Sequence, residues 1–265
     1  MNKNRQIVLI QIIIILILLL AKINIAQEQS LKPLIEQLMK NYQNLRYINC
    51  TIEMGINRGD NFIFMKGKYY AGPEGKYKIE MRPTGDLIVI ASNGKRQVFL
   101  IKRLNKAYVN EAKNDISVNK NMFEAPNLAK ANVISDEFNL EVLKREEKAW
   151  KKIITLQAKP KISKEFISKI YIHIDETIKL FTKYEIYDLH DNLIQVVNFN
   201  DYKLFNNEVW FPVEMKYQYY EGKDNITVNV KFNDVKINEP IDDKLFEVEI
   251  PKDMKVEYIK PTQIY

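Results

Sequence analysis

Val213-Glu-Met-Lys-Tyr-Gln-Tyr219 and, a short turn later, Ile226-Thr-Val-Asn-Val-Lys-Phe232 decide the fold. In both stretches every second residue is apolar and the residues between are polar. Successive side chains of a strand point to opposite faces, so each stretch has one dry face and one wet face. Glu221-Gly-Lys-Asp224 between them fits a hairpin turn. Further back, Ile170, Ile172 and Ile174 oppose Tyr171, His173 and Asp175, and Asp191-Asn192 marks another turn. Antiparallel sheets that are solvated on one side carry this pattern.

The first half repeats it less regularly. Ile48, Cys50, Ile52, Met54 and Ile56 share one side of a strand, as do Tyr77, Ile79 and Met81. Gly72-Pro-Glu-Gly75, Pro83-Thr-Gly85 and Ser92-Asn-Gly94 are turn signals between strands. Leu87–Ile90 and Val98–Ile101 are continuous apolar runs, which predicts strands covered on both faces, with helices as one candidate cover. Residues 113–136 lose the alternation and predict a long crossover, with a helix near Met122–Ala131. Ahead of the strands, Ser30 is an N-cap candidate. Leu31, Leu34, Ile35, Leu38, Tyr42 and Leu45 follow at steps of three and four, which predicts one amphipathic helix against the sheet. The count comes to about ten or eleven strands in one domain, residues 27–265.

The start of the chain is of another kind. Lys3 and Arg5 precede Ile7–Leu20, which is apolar except for Gln11, and Ala21-Lys-Ile-Asn-Ile-Ala26 leads into polar sequence. This is the form of a secretory signal peptide, and its core is shorter than the roughly 20 apolar residues of a membrane span. Cleavage after Ala26 is expected, with retention as an N-terminal anchor the alternative. Without residues 1–26 the chain carries 37 basic and 34 acidic residues, a mixed surface and not a nucleic-acid footprint. Cys50 is the one cysteine, so no internal disulfide or cysteine metal cluster forms, and its apolar setting reads as a small buried hydrophobe.

Little in the sequence suggests catalysis. His173 lies on the polar side of a strand and His190 in a turn, both expected to be solvated; neither has metal-ligand spacing with a partner. No nucleophile elbow and no glycine-rich phosphate loop occurs. No enzymatic activity, cofactor or metal is expected. The strands do collect aromatic residues, among them Tyr77, Phe99, Trp210-Phe211 and Tyr217-Gln-Tyr-Tyr220. Strand aromatics ordinarily build a core, but apolar ligands also recur at the mouths of β-barrels.

The ordered motifs resemble the LolA-like superfamily of outer-membrane lipoprotein carriers and sorting proteins. They are the leading helix Leu34–Leu45, Phe64-Met-Lys-Gly67 followed by Tyr77-Lys-Ile-Glu-Met81, and Asn93-Gly-Lys95 leading into Val98-Phe-Leu-Ile101. Tyr187-Asp188 with Asn192, Phe199 with Tyr202, and Phe211-Pro-Val-Glu-Met215 follow. The closing stretch is Lys236-Ile-Asn-Glu-Pro-Ile-Asp-Asp-Lys-Leu-Phe-Glu-Val-Glu-Ile-Pro251. Two departures stand out: Val98 where carriers have a tryptophan, and Gly72 where they have an arginine tied to lid closure.

The resemblance implies a mainly β (α+β) fold: a strongly curved antiparallel sheet forming an unclosed half-barrel, capped by helices on its concave side. It implies an exported carrier, periplasmic or on the outer side of the membrane, that binds lipid or lipoprotein acyl chains as a monomer. A membrane protein would be donor or acceptor, and no nucleic acid would be bound. The alternative is a signalling or interaction module sensing lipid-linked ligands for a membrane partner. Phe64, Tyr77, Met81, Val89, Phe99, Ile172, Val213, Met215, Tyr217 and Tyr219 are the residues expected to line the cavity.

Overall fold

Alternation builds strand after strand here, and tight turns join neighbours, so most of the sheet is a meander. The computed structural model describes residues 31–258 apart from 32, 39, 42–43, 84–85, 112–136, 149–150, 163–165 and 223. The first meander contains β1 (Ile48–Arg58), β2 (Asn61–Ala71), β3 (Lys76–Met81), β4 (Ile88–Asn93), β5 (Arg96–Ile101) and β6 (Lys106–Glu111). The second contains β7 (Phe138–Lys148), β8 (Lys151–Pro160), β9 (Lys169–Asp175), β10 (Leu180–Tyr187), β11 (Leu193–Phe205), β12 (Val209–Glu221) and β13 (Asp224–Ile237). A short β14 (Lys255–Tyr258) follows.

All fourteen form one unclosed sheet in the order β14-β6-β5-β4-β3-β2-β1-β13-β12-β11-β10-β9-β8-β7. Every pairing is antiparallel except β14 on β6. The two meanders meet where β1 pairs with β13. The excess over the ten or eleven expected strands reflects edge elements such as β14, whose alternation is short. At the other edge β7 carries Lys144, Arg145, Glu146 and Glu147, charges that discourage further strand pairing.

Residues 31, 33–38, 40 and 41 are helical, and Leu31, Leu34 and Leu38 are buried in the main core. Leu45, expected inside this helix, lies beyond it but still packs on the same core. The helix thus covers one face of the sheet, here called the inner face. The signal segment, the crossover at 113–136 and its expected helix lie outside the described residues.

The motifs that carried the family resemblance have local physical work. A Cβ on Gly67 would stand 1.8 Å from the Glu80 carbonyl oxygen, so only glycine fits that crossing of β2 and β3. Asn93 Oδ1 accepts from the amides of Lys95 and Arg96, at 3.0 and 2.8 Å, shaping the β4–β5 turn. Asp188 Oδ1 accepts from the amides of His190 and Asn192, both at 2.8 Å, and fixes the β10–β11 turn. Asn238 has positive φ; its Oδ1 accepts from the Arg46 amide at 2.8 Å and its Nδ2 donates to Asn44 O at 2.7 Å. It ties the exit of β13 to the approach to β1.

Beyond Asn238 the chain forms a strap. Asp242 caps the 3-10 turn Asp243–Phe246 by accepting from Lys244 N at 2.9 Å. Phe246 is buried over Gly72, where an added Cβ would stand 3.1 Å from the ring. The strap then runs across the outer face of β4–β6, where Val248, Ile250 and Met254 pack on Val89, Ala91, Val98, Leu100, Ala107 and Val109. The apolar runs in β4 and β5 are therefore apolar on both faces, and the outer cover is the strap.

Candidate ligand-binding face

Cross-strand partners share a face, so the register sorts every strand residue into inner or outer. One inner row runs unbroken through nine strands: Ile63, Ile56, Val228, Tyr217, Val197, Tyr184, Ile172, Leu156 and Val142. The adjoining row holds Met65, Met54, Val230, Met215 and Phe199. No charged residue interrupts either row. The outer face of the second meander is polar by contrast, with ion pairs such as Lys231–Glu214 and Lys144–Glu146.

Eight of the ten expected cavity residues share this inner face: Tyr77, Met81, Phe99, Ile172, Val213, Met215, Tyr217 and Tyr219. Two do not. Met65, not Phe64, pairs with the inner Met54, which turns Phe64 outward to 52% exposure. Ile90 pairs with the inner Ile79, so Val89 points outward into the core beneath the strap. Phe64 is the third of four apolar residues in a row and Val89 sits inside another apolar run, so alternation could not set their parity.

The face is not uniform along its strands. Toward the end of β13, Tyr69 and Phe232 lie 6.1 Å apart, Phe211 and Phe232 5.3 Å, and Phe205 and Phe211 6.4 Å. This aromatic group was absent from the expected site, although the alternation Ile226-Val228-Val230-Phe232 pointed to Phe232. Toward the hairpin tips packing loosens: Ile56, Tyr219 and Ile226 are half-buried and Ile63 is exposed.

The polar atoms on the face are subdued by burial. Desolvation raises the Tyr217 phenol well above its ordinary range and pushes Tyr219 up to about 12. The Tyr217 hydroxyl donates to Met215 Sδ at 3.6 Å. Cys50, also inner, is pushed up to about 12 by burial, so its thiol stays protonated and unreactive.

On the outer face, Thr155 Oγ1 lies 3.2 Å from His173 Nδ1, and Glu185 Oε2 lies 3.8 Å from His173 Nε2. His173 is half-buried, not solvated as its alternation implied, and burial lowers its pKa despite Glu185. The trio sets a hydroxyl, an imidazole and a carboxylate side by side, with Thr155 buried. His190 is exposed. Among the described residues no group of three or more His, Cys, Asp or Glu is placed to hold a metal.

Three solved structures share this architecture. A DUF1329 family protein from Desulfovibrio piger aligns with a TM-score of 0.58 at 15% identity, over 81% of this chain and 95% of its own. A putative outer membrane lipoprotein-sorting protein domain from Vibrio parahaemolyticus gives 0.57 at 15% identity, over 80% and 94%. A LolA superfamily protein from Nitrosomonas europaea gives 0.56 at 10% identity, over 80% and 97%. No curated protein matches the chain. The unclosed sheet with its helix-covered apolar face is thus a fold shared with LolA-like structures. The chain belongs to a family described as an uncharacterized protein, whose model matches residues 112–250, just over half of the chain.

Proposed function

We propose that this protein is an exported, non-catalytic carrier that holds lipid or lipoprotein acyl chains against the inner face of its sheet. The observation that carries this reading is the apolar row through nine strands, from Ile63 to Val142, with no charge in it. A surface of this kind gains roughly 0.8 kcal/mol for each CH₂ it removes from water, so acyl chains can supply affinity without a charged site. The likeness to a lipoprotein-sorting domain supports the same assignment, and the basic, apolar N-terminal segment supports export. A membrane protein would then serve as donor or acceptor. The second reading, an interaction module with a closed interior, draws on the aromatic packing of Tyr69, Phe205, Phe211 and Phe232.

Mass spectrometry of organic extracts from detergent-free protein tests the choice. Stoichiometric acyl lipid is expected, together with displaceable binding of a fluorescent fatty acid. Tyr219→Lys is expected to lose both while melting as a folded domain, because the half-buried site lets lysine reach water. Lipid-free wild-type protein that ignores the probe would overturn the carrier reading.

A further inference from the structure

One inner row departs from the apolar pattern. In register across β3, β4, β5 and β6 stand Tyr77, Ser92, Gln97 and Asn110. The neighbouring row on the same strands is Ile79, Ile90, Phe99 and Tyr108, with the Phe99 and Tyr108 rings stacked at 6.0 Å. Four polar side chains side by side at one end of an apolar face form a boundary, wet chemistry on one side and hydrocarbon on the other.

Tyr77, Ser92 and Gln97 each take part in a hydrogen bond. Gln97 Nε2 donates to the Tyr77 hydroxyl, and Ser92 Oγ accepts from the Gly94 amide at 3.1 Å. Asn110 is the exception. It is only 5% exposed, and its Oδ1 is buried with no hydrogen-bond partner. Native interiors keep very few such orphans, and those they keep call for an absent partner. An amide oxygen can only accept, so the missing partner is a donor.

We propose that Tyr77, Gln97 and Asn110 form a polar subsite that selects acyl ligands bearing a hydrogen-bond donor, an amide N–H or a hydroxyl, at the head of the chain. The inference rests on the carrier reading and adds the class of cargo to it. Asn110 Oδ1 accepts from the donor, the Gln97–Tyr77 bond holds the flanking wall in place, and the first methylenes lie along the half-buried Ile90 and Phe99. A head group with acceptors alone, such as a simple ester, leaves Asn110 unpaired and sets its own oxygens against it.

The test uses delipidated full chain and displacement of a fluorescent fatty acid by N-methylpalmitamide, methyl palmitate and stearyl alcohol. The amide and the ester differ by N–H against O at matched size. The amide is expected to bind about tenfold tighter, the scale of one hydrogen bond to a buried acceptor, and the alcohol to side with the amide. Asn110→Leu is expected to bring the amide-to-ester ratio to about one, the amide losing its hydrogen bond and the ester losing the oxygen set against its own. Its melting temperature should hold or rise, since an orphaned polar atom is gone.

Equal amide and ester affinity in the wild type overturns the subsite and leaves the carrier reading intact, whether or not the variant folds. An alcohol that binds like the ester removes hydroxyl ligands from the proposal. Failure of the probe itself to bind overturns the carrier reading instead. A variant that loses ester binding and stability together makes Asn110 a structural residue and overturns its assigned role.

Discussion

The two meanders use the same pairing rules and end with different cross-sections. In β7–β13 the inner face is apolar and the outer face polar, so one cover suffices. In β4–β6 apolar side chains stand on both faces: Ile90 and Phe99 point inward, while Val89, Ala91, Val98 and Leu100 point outward under the strap. The sequence of each region follows from its number of covers: strict alternation where there is one, continuous apolar runs where there are two. The strap is thus a structural layer of the first meander, with no counterpart on the second among the described residues.

The most damaging way to test the crowding of the first meander is Gly67→Val. With a Cβ driven against the Glu80 carbonyl, β2 and β3 must separate, and the expected cost exceeds about 3 kcal/mol. Soluble protein with an unchanged melting temperature would refute the close approach.

Phe246→Ala probes the strap itself. Emptying a buried phenylalanine site costs about 3–5 kcal/mol. Amide hydrogen exchange should accelerate first in β4–β6 and leave β10–β12 protected. Uniform loss of protection across both meanders would erase the distinction drawn between them.

The smallest expected effect lies on the polar outer face of the second meander. Burial holds the folded-state pKa of His173 below its ordinary 6.5. The unfolded chain therefore binds the extra proton, and stability falls as pH drops below about 6.5 and is fully present above it. Denaturation midpoints between pH 5 and 8 should show this slope, and His173→Gln should flatten it. A slope that survives the substitution assigns the effect to another group.

Legibility in the sequence followed the same division. Ile172, Met215 and Tyr217 could be placed on the inner face because polar neighbours on both sides fix their parity. Val89 could not, since a continuous run states that two covers exist without saying which residue meets which. Phe64 failed for the related reason that Phe62-Ile-Phe-Met65 offers two equivalent alternations, and only pairing with Met54 chooses. The closing motif was recognisable as a pattern, but its work as a strap depends on contacts such as Phe246 on Gly72 that join residues far apart in the chain. Asn110 gave no local signal, because an orphaned oxygen is a property of its surroundings.

The seam between β1 and β13 has a kinetic consequence. Each hairpin within a meander closes a short loop, whereas Ile52 finds Phe232 only after most of the chain lies between them. Closing so long a loop carries a large entropic cost that is recovered only when the whole strand pair zips. The halves can thus assemble independently and wait for each other, which makes the joining of β1 to β13 the slow, committing event of folding. Until it happens both strands present open edges, so a newly made chain is most vulnerable to pairing with a second copy during that interval.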